Sequence, residues 1–479
     1  MAENLKVLAR LILESVDTID RSCTERGLLF PGLDEPFSPS SEAARNLPGV
    51  GDAINVVVAA ASQLIAETRN PVASLASTAL GWTSSTCMAV AEEGHIPEIL
   101  REAGPQGLHV NDIAEINGMN PRRLSHIMRH LATIHIFNET SPDVYSHNLL
   151  SSRIDTGKKS ADLLKDSNGK HEGTDGIAAF VATFPDDAGK SGLYIPDVMT
   201  DPKVAFSPHP HECALQKAFN LPAINYFQWI DTPQQSRRMR RIGMVMHGVS
   251  QIYPPDFMLK GFDFGSLKDG ATVVDVGGGV GSVTLGLARQ FPKINFVVHD
   301  LPNQLSQAEK FWTENYPEAY RSGRVKFVAH NFFEPYPEAI RAPDVFLVRM
   351  VIHDWSDLYA EKILVQLRQA AGPRTRLVFV DHILRHTCAA PASSSQVVGY
   401  DNVMPVPAPL LKNMGAATIL THQFGMIMTC MQNGEERTLE NWQVLLKRSG
   451  WIVKEIKNTE STGTFHPHII CECDSAESA

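Results

Sequence analysis

Apolar positions recur at helical spacing from the start of the chain. Leu5, Leu8, Leu11, Ile12, Val16 and Ile19 share one side of a helix over residues 3–22, which predicts an amphipathic helix with a face to bury. A linker with four prolines follows over 29–48, and two more helical stretches are expected over 50–68 and 72–93, until Gly94 and Pro97 break the pattern. Residues 107–153 read as helix, turn, helix and wing. Asn111 is placed to cap a short helix carrying Ile113, Ala114 and Ile116, with Gly118 making the turn. Pro121 opens a second helix with Leu124, Ile127, Met128 and Leu131 on one face, and strand-like pieces at 135–137 and 144–147 complete a winged helix-turn-helix pattern. Residues 155–177 are polar and contain glycine, which predicts an exposed loop. Helical patterning resumes near 215.

After Gly270 the pattern changes class. Apolar runs at 272–276, 295–299, 325–329, 345–350, 376–380, 451–456 and 469–473 alternate with helical segments. Such alternation predicts an α/β fold, a mostly parallel, doubly wound sheet with helices on both faces. The expected division is a helical, winged-helix-like unit over 1–215 and an α/β unit over 216–479.

Composition narrows the function classes. With 479 residues, 43% of them hydrophobic and 20% charged, the chain has apolar material for a large core, so chain-wide disorder is excluded. The net charge of −10 argues against a partner held by bulk positive charge, such as nucleic acid. The winged segment itself sets Arg122, Arg123, Arg129 and Arg153 against Asp112, Glu115, Glu139, Asp143 and Asp155. Packing or dimerisation is its expected role. Seven cysteines without a CxxC pair suggest neither a disulfide framework nor a zinc site, and no metal is expected. Glu3, Lys6, Arg10, Glu14, Asp17 and Asp20 exclude a signal-peptide apolar region in the first twenty residues. The apolar stretch 54–65, interrupted by Asn55, Ser62 and Gln63, is shorter than a bilayer span. A cytoplasmic protein with no membrane partner is expected.

The sharpest motif runs Asp275-Val276-Gly277-Gly278-Gly279-Val280-Gly281, ending a strand and opening a helix. Glycines let the backbone turn tightly and let a ligand approach closely. A dinucleotide GxGxxG would need glycine at position 282, which is Ser. An acid just before the loop suits a cationic ligand, and S-adenosylmethionine carries a sulfonium and an ammonium. Asp300, at the end of the next strand-like run, is placed to accept hydrogen bonds from both hydroxyls of a ribose. Further on, His353 stands in Arg349-Met-Val-Ile-His-Asp-Trp-Ser-Asp357, where a strand gives way to a helix. An imidazole at that rim is a natural general base for a hydroxyl. Asp381 ends the following strand and Glu436 precedes the last long helix; either could fix the imidazole tautomer. Met414, Met426, Met428 and Met431, with Phe424 and Ile427, would offer a surface for a flat ring.

Taken together, these residues resemble the plant-type small-molecule O-methyltransferases, the caffeate and flavonoid family, and its fungal secondary-metabolite relatives. The likeness covers about 85–473 and rests on DVGGGxG, the acidic strand end at Asp300, HDWSD and ERT in the family's order. It implies a class I methyltransferase fold with an N-terminal dimerisation domain, a homodimer, and S-adenosylmethionine as cofactor. It implies cofactor-binding roles for Asp275, Gly277, Gly279, Gly281, Asp300, Asn331, Phe332 and Arg349, and catalytic roles for His353, Asp381 and Glu436. Two positions depart from the plant pattern: Asn331 stands where plant members usually carry Asp, and Asp381 where they usually carry Glu. The N-terminal ~85 residues exceed that pattern and point to the fungal branch. The implied reaction is methyl transfer to a hydroxyl of a small aromatic or polyketide-type acceptor. The residues leave two alternatives open: a cyclase or dehydratase, pericyclase-like, that binds the cofactor without transferring methyl, and a winged-helix regulator.

Overall fold

A computed structural model describes residues 3–250, 256–389 and 397–474. The chain divides into two units: Met1–Asp197 with Ala214–Pro254, and Val198–Cys213 with Pro255–Ala479. The division therefore differs from the boundary expected at 215/216. The helical run that follows position 214 packs with the N-terminal unit, and a short strap, 198–213, belongs to the other.

In the first unit the opening helix is Glu3–Arg26, with Leu8, Ser15 and Cys23 buried. It packs against helix Val50–Thr68, whose buried stripe is Val50, Ala53, Val56, Ala59 and Ala60. The small side chains of that stripe allow close approach. By length and composition alone Val50–Thr68 is apolar enough to cross a membrane, contrary to the sequence expectation for this stretch. The expected helix over 72–93 is two helices, Pro71–Ala79 and Trp82–Glu93, parted at Leu80–Gly81.

The winged segment comprises helices Val110–Asn117 and Pro121–Thr133 with three strands: β1 (Leu108–His109), β2 (Asn138–Ser141) and β3 (Val144–Ser146), in the order β1-β3-β2. Ile113, Leu124, Met128, Leu131 and Tyr145 form its fully buried centre. Two details correct the sequence reading. His109, not Asn111, caps the first helix, its side chain accepting from the Asn111 N–H. The first expected strand lies three residues later, because His135 takes a left-handed turn at φ 67°.

The polar stretch 155–177 lies largely at the surface, as expected, but it is anchored by polar side chains that are not solvated. Lys170 is wholly buried, its Nζ 2.8 Å from Glu92 Oε1 and 3.6 Å from Glu98 Oε2, and His171 Nε2 lies 2.9 Å from Glu92. Burial alone would raise the Glu92 pKa, but His171 and Lys170 together bring it down to about 2. A desolvated charge cluster thus anchors a segment whose other polar residues are mostly exposed or half-buried.

In the second unit, β4 (Thr272–Val276), β5 (Asn295–Asp300), β6 (Val325–Ala329), β7 (Val345–Arg349) and β8 (Arg376–Val380) are parallel. A short parallel pair, β9 (Ile383–Leu384) and β10 (Arg437–Thr438), stands apart from them. The last strands, β11 (Trp451–Lys457) and β12 (His468–Cys473), join the main sheet antiparallel, giving seven strands in the order β11-β12-β8-β7-β4-β5-β6. Order reverses beside β4, and in such sheets ligands sit beyond the strand ends at that point. The core buries Val274, Val276, Phe346, Val348, Leu377 and Phe379 completely. The strap 198–213 is fixed by side chains of this unit. Asn433 Nδ2 donates to the carbonyls of Ser207, His209 and Glu212 at 3.1, 2.9 and 3.2 Å. Ser356 Oγ donates to that of Pro208 at 2.7 Å.

Candidate active site

β4 ends in the glycine loop, and the loop's two faces differ. At Gly277, φ is +69° and an added Cβ would stand 2.8 Å from Val351 Cγ2, so this position is closed by packing. At Gly279, φ is +57° and nothing lies within 4 Å of an added Cβ. The loop is thus buttressed on one side and open on the other, as a ligand cradle must be. Gly281 caps helix Ser282–Gln290, whose first N–H groups face the loop.

Asp275 is buried beneath the loop, hydrogen-bonded by the Thr284 hydroxyl. Burial lifts its pKa to about 6, against the Thr284 bond and the charge of Arg349. It braces the loop from below and puts negative potential there. Asp300 closes the neighbouring strand. Its Oδ2 accepts from the Gly279 N–H at 2.8 Å and its Oδ1 from the Leu301 N–H at 2.7 Å, which pins the ends of β4 and β5 together. Each oxygen keeps a further lone pair for a diol. Beyond β6, Phe332 comes within 3.9 Å of the Cβ position on Gly277 and meets Trp355 edge-on at 6.0 Å. Asn331 is exposed, and its Oδ1 accepts from the Phe333 N–H at 3.1 Å, so it shapes its own turn. Arg349 ends β7 with its guanidinium 5.6 Å from the Phe257 ring centroid.

After Arg349 the backbone takes a left-handed step at Met350, φ 50°, and a short 3-10 turn, Ile352–Asp354, carries His353. Such strain in a non-glycine residue persists only where the surroundings enforce it. The Met350 N–H itself donates to the Val380 carbonyl at 3.3 Å, and the turn that follows is held by Arg437, wholly buried, which donates to the carbonyls of Ile352 at 3.2 Å and Trp355 at 2.8 Å and pairs with Asp357 at 2.9 Å. The β9–β10 pairing sets Arg437 opposite Ile383, bringing Glu436 to the end of β8.

The three residues expected to be catalytic do converge. His353 Nδ1 lies 2.7 Å from Glu436 Oε1 and 3.6 Å from Asp381 Oδ1. All three are buried. Glu436 therefore makes the hydrogen bond, while the shorter Asp381 acts through space. Burial would lower the His353 pKa, but the charges of Asp381 and Glu436 and the Glu436 hydrogen bond raise it to about 10. Burial would raise that of Glu436, yet His382 and His353 hold it well below the carboxylate range. Burial dominates for Asp381, which is shifted upward, and for Asp354, raised to about 7.

Sequence reasoning passes over His382, Asp354 and Arg437, each adjacent to a residue it does select. His382 Nδ1 sits 2.9 Å from Glu436 Oε1, and Asp354 Oδ1 is 3.9 Å from His353 Nε2. The ligand atoms of His353, Asp381, His382 and Glu436 lie within 4.8 Å of one another, a spacing an ion could use. The hydrogen bonds among them occupy the same nitrogens and the same Glu436 oxygen. The methionine surface is only partly present: Met414 and Met431 are buried, while Met426 on helix Ile419–Gln432 is 52% exposed.

Residues 203–406 match the O-methyltransferase domain family and residues 76–154 the O-methyltransferase dimerisation domain family. An O-methyltransferase of Armillaria gallica is 41% identical over 472 residues, covering 98% of this chain and 99% of the relative. The chain belongs to the O-methyltransferase family. A second relative, 4-O-methyltransferase 1 of Phanerochaete chrysosporium, is 36% identical over 470 residues, 97% of this chain and 98% of its own length. Among solved structures, LepI in complex with SAM aligns with a TM-score of 0.67 at 16% identity, over 90% of this chain and 96% of that one. That likeness shows the class I methyltransferase fold. Both the regulator and the enzyme without methyl transfer are disfavoured by relatives that span nearly the whole chain and are O-methyltransferases.

This O-methyltransferase uses S-adenosylmethionine, and the residues present fit that group. There is open space before Gly279, a carboxylate at the Asp300 strand end, and buried negative charge under the loop.

Proposed function

We propose that the enzyme methylates a hydroxyl of a small aromatic or polyketide-type secondary metabolite, with His353 as the general base. The supporting observation is the 2.7 Å contact between His353 Nδ1 and Glu436 Oε1. It keeps a proton on Nδ1 and leaves Nε2 as the acceptor. S-adenosylmethionine supplies an electrophilic methyl group on a sulfonium. His353 Nε2 takes the hydroxyl proton as the acceptor oxygen bonds to the methyl carbon and the carbon–sulfur bond breaks. An imidazole with a pKa raised to about 10 is matched to a phenol of pKa about 10, so the proton moves with little energetic penalty. The cost is that the free base is a minor form at neutral pH. In this reading Asp300 holds the ribose, Phe332 and Asn331 the adenine side, Arg349 and Asp275 the charged end; Gly279 makes room, while Gly277 and Gly281 let the loop turn tightly against its packed side. Orientation by these groups accounts for much of the acceleration.

The reading includes a homodimer. Residues 76–154 match a dimerisation domain, and Leu13, Val72, Leu75 and Trp82 are 61, 73, 73 and 57% exposed on the N-terminal helices. Light scattering should give about twice the chain mass. The enzyme is proposed to work in the cytoplasm, in keeping with seven free cysteines.

His353→Ala tests the base. On an acceptor un-ionised at the assay pH, the rate should fall roughly 10²–10⁴-fold with cofactor affinity by calorimetry unchanged. Full activity in that variant would overturn the assignment.

A further inference from the structure

We propose that His382 is a positioning residue for the base, holding the Glu436 carboxylate and tempering the charge that Glu436 presents to His353. The proposal rests on His353 being the base. His382 lies two residues past the end of β8 and is wholly buried. Its Nδ1 meets Glu436 Oε1 at 2.9 Å, the same oxygen that His353 Nδ1 meets at 2.7 Å. The ring is packed against two others, stacked with His466 at 4.8 Å and 23° and with Phe424 at 5.6 Å and 13°. Its backbone is fixed too: its N–H donates to Asp381 Oδ1 at 3.0 Å and its carbonyl accepts from Trp442 Nε1 at 3.3 Å. A ring held this way keeps its Nδ1 on Glu436.

The consequence follows from counting donors. Glu436 Oε2 is buried without a hydrogen bond among the described residues, so two imidazole N–H groups on Oε1 support the whole carboxylate. Removing one leaves the anion with a single donor, His353, and concentrates its attraction there. His353 then holds its proton more firmly. The other titratable groups facing this cluster are Asp381 beside β8, Asp354 beside His353, Arg349 at the end of β7, and His466 before β12. All of them stay in place when His382 is exchanged, so the change is carried by the lost donor.

The test compares His382→Phe, which keeps a flat ring without a donor, with His382→Asn, whose amide N–H falls where Nδ1 was. The measurement is kcat/KM for an un-ionised acceptor against pH, at saturating S-adenosylmethionine. For His382→Phe the ascending limb should move up by about one pH unit, and the rate at pH 7 should fall about tenfold, the size expected for a supporting hydrogen bond. Cofactor affinity should not change. His382→Asn should restore the wild-type limb. An unshifted limb in His382→Phe, or an equal shift in His382→Asn, would overturn the proposal by showing that only ring packing matters. Should His382→Phe fail to fold, His382→Gln replaces it, since its amide reaches past the Nδ1 position: a shifted limb supports the proposal and a wild-type limb overturns it. His353→Ala run alongside separates the two readings: its full activity removes the base assignment itself, whatever His382 does.

Discussion

Asp381 Oδ1 stops 3.6 Å from His353 Nδ1, and Glu436 Oε1 reaches to 2.7 Å. Asp381 therefore bears on the base by charge alone. Asp381→Asn should remove one of the influences that raise the His353 pKa and move the ascending limb of kcat/KM to lower pH. This is the opposite direction to the shift expected of His382→Phe. Glu436→Gln takes the charge from the group that is itself hydrogen-bonded to His353 and should cost more rate than Asp381→Asn. A titration of both variants on one acceptor checks the order.

The same shift has a stability consequence. The His353 pKa is about 10 in the folded protein, against about 6.5 unfolded. A raised pKa of this kind contributes stability that is fully present below pH 6.5 and is lost as pH rises through 10. Thermal melts of wild type and His353→Gln between pH 6 and 10.5 should show the wild-type advantage shrinking steadily with pH. An advantage that is constant across that range would mean His353 is not held as a cation.

The two faces of the glycine loop predict two different failures. Gly279→Arg places a side chain in open space and should abolish S-adenosylmethionine binding, with only the roughly 1 kcal/mol of strain that a positive φ imposes on the fold. Gly277→Ala drives a methyl against Val351 and should lower the melting temperature as well. Asp300→Ala should weaken cofactor binding by about 1–3 kcal/mol. Calorimetry and melting curves on the three variants separate binding from folding.

In the first unit, Lys170→Met should destabilise strongly, by about 3–5 kcal/mol, because it strands Glu92 and Glu98 as buried charges. Adding Glu92→Gln should recover part of the loss. Urea unfolding of the single and double variants measures both. A Lys170→Met protein as stable as wild type would mean the cluster contributes nothing net.

How much of the molecule is legible in its sequence depends on what each element needs from its neighbours. The runs match all seven strands of the large sheet to within a residue: the central strands, buried on both faces, read as apolar runs, and the edge strands β6 and β11 are betrayed by their β-branched and aromatic residues despite exposed lysines. The glycine loop and His353 are legible because their chemistry is local. β1, with two residues, carries no period to detect, and the wing starts late because of a left-handed histidine that no pattern reveals. Lys170 looks solvated because polarity is visible in sequence and a buried counter-charge nearly eighty residues away is not. His382 escapes notice for a similar reason: nothing beside it in the chain announces that Glu436, 54 residues on, shares its proton.

The strap has a practical side for protein engineering. Because 198–213 sits with the sheet while 214–254 sits with the helices, neither unit is an unbroken piece of chain. A gene cut at 254 would yield a catalytic fragment without the carbonyls of Ser207, Pro208, His209 and Glu212, to which Asn433 and Ser356 donate. Shuffling this catalytic unit onto another N-terminal unit therefore calls for two junctions more than a simple fusion, with the strap carried along as its own cassette.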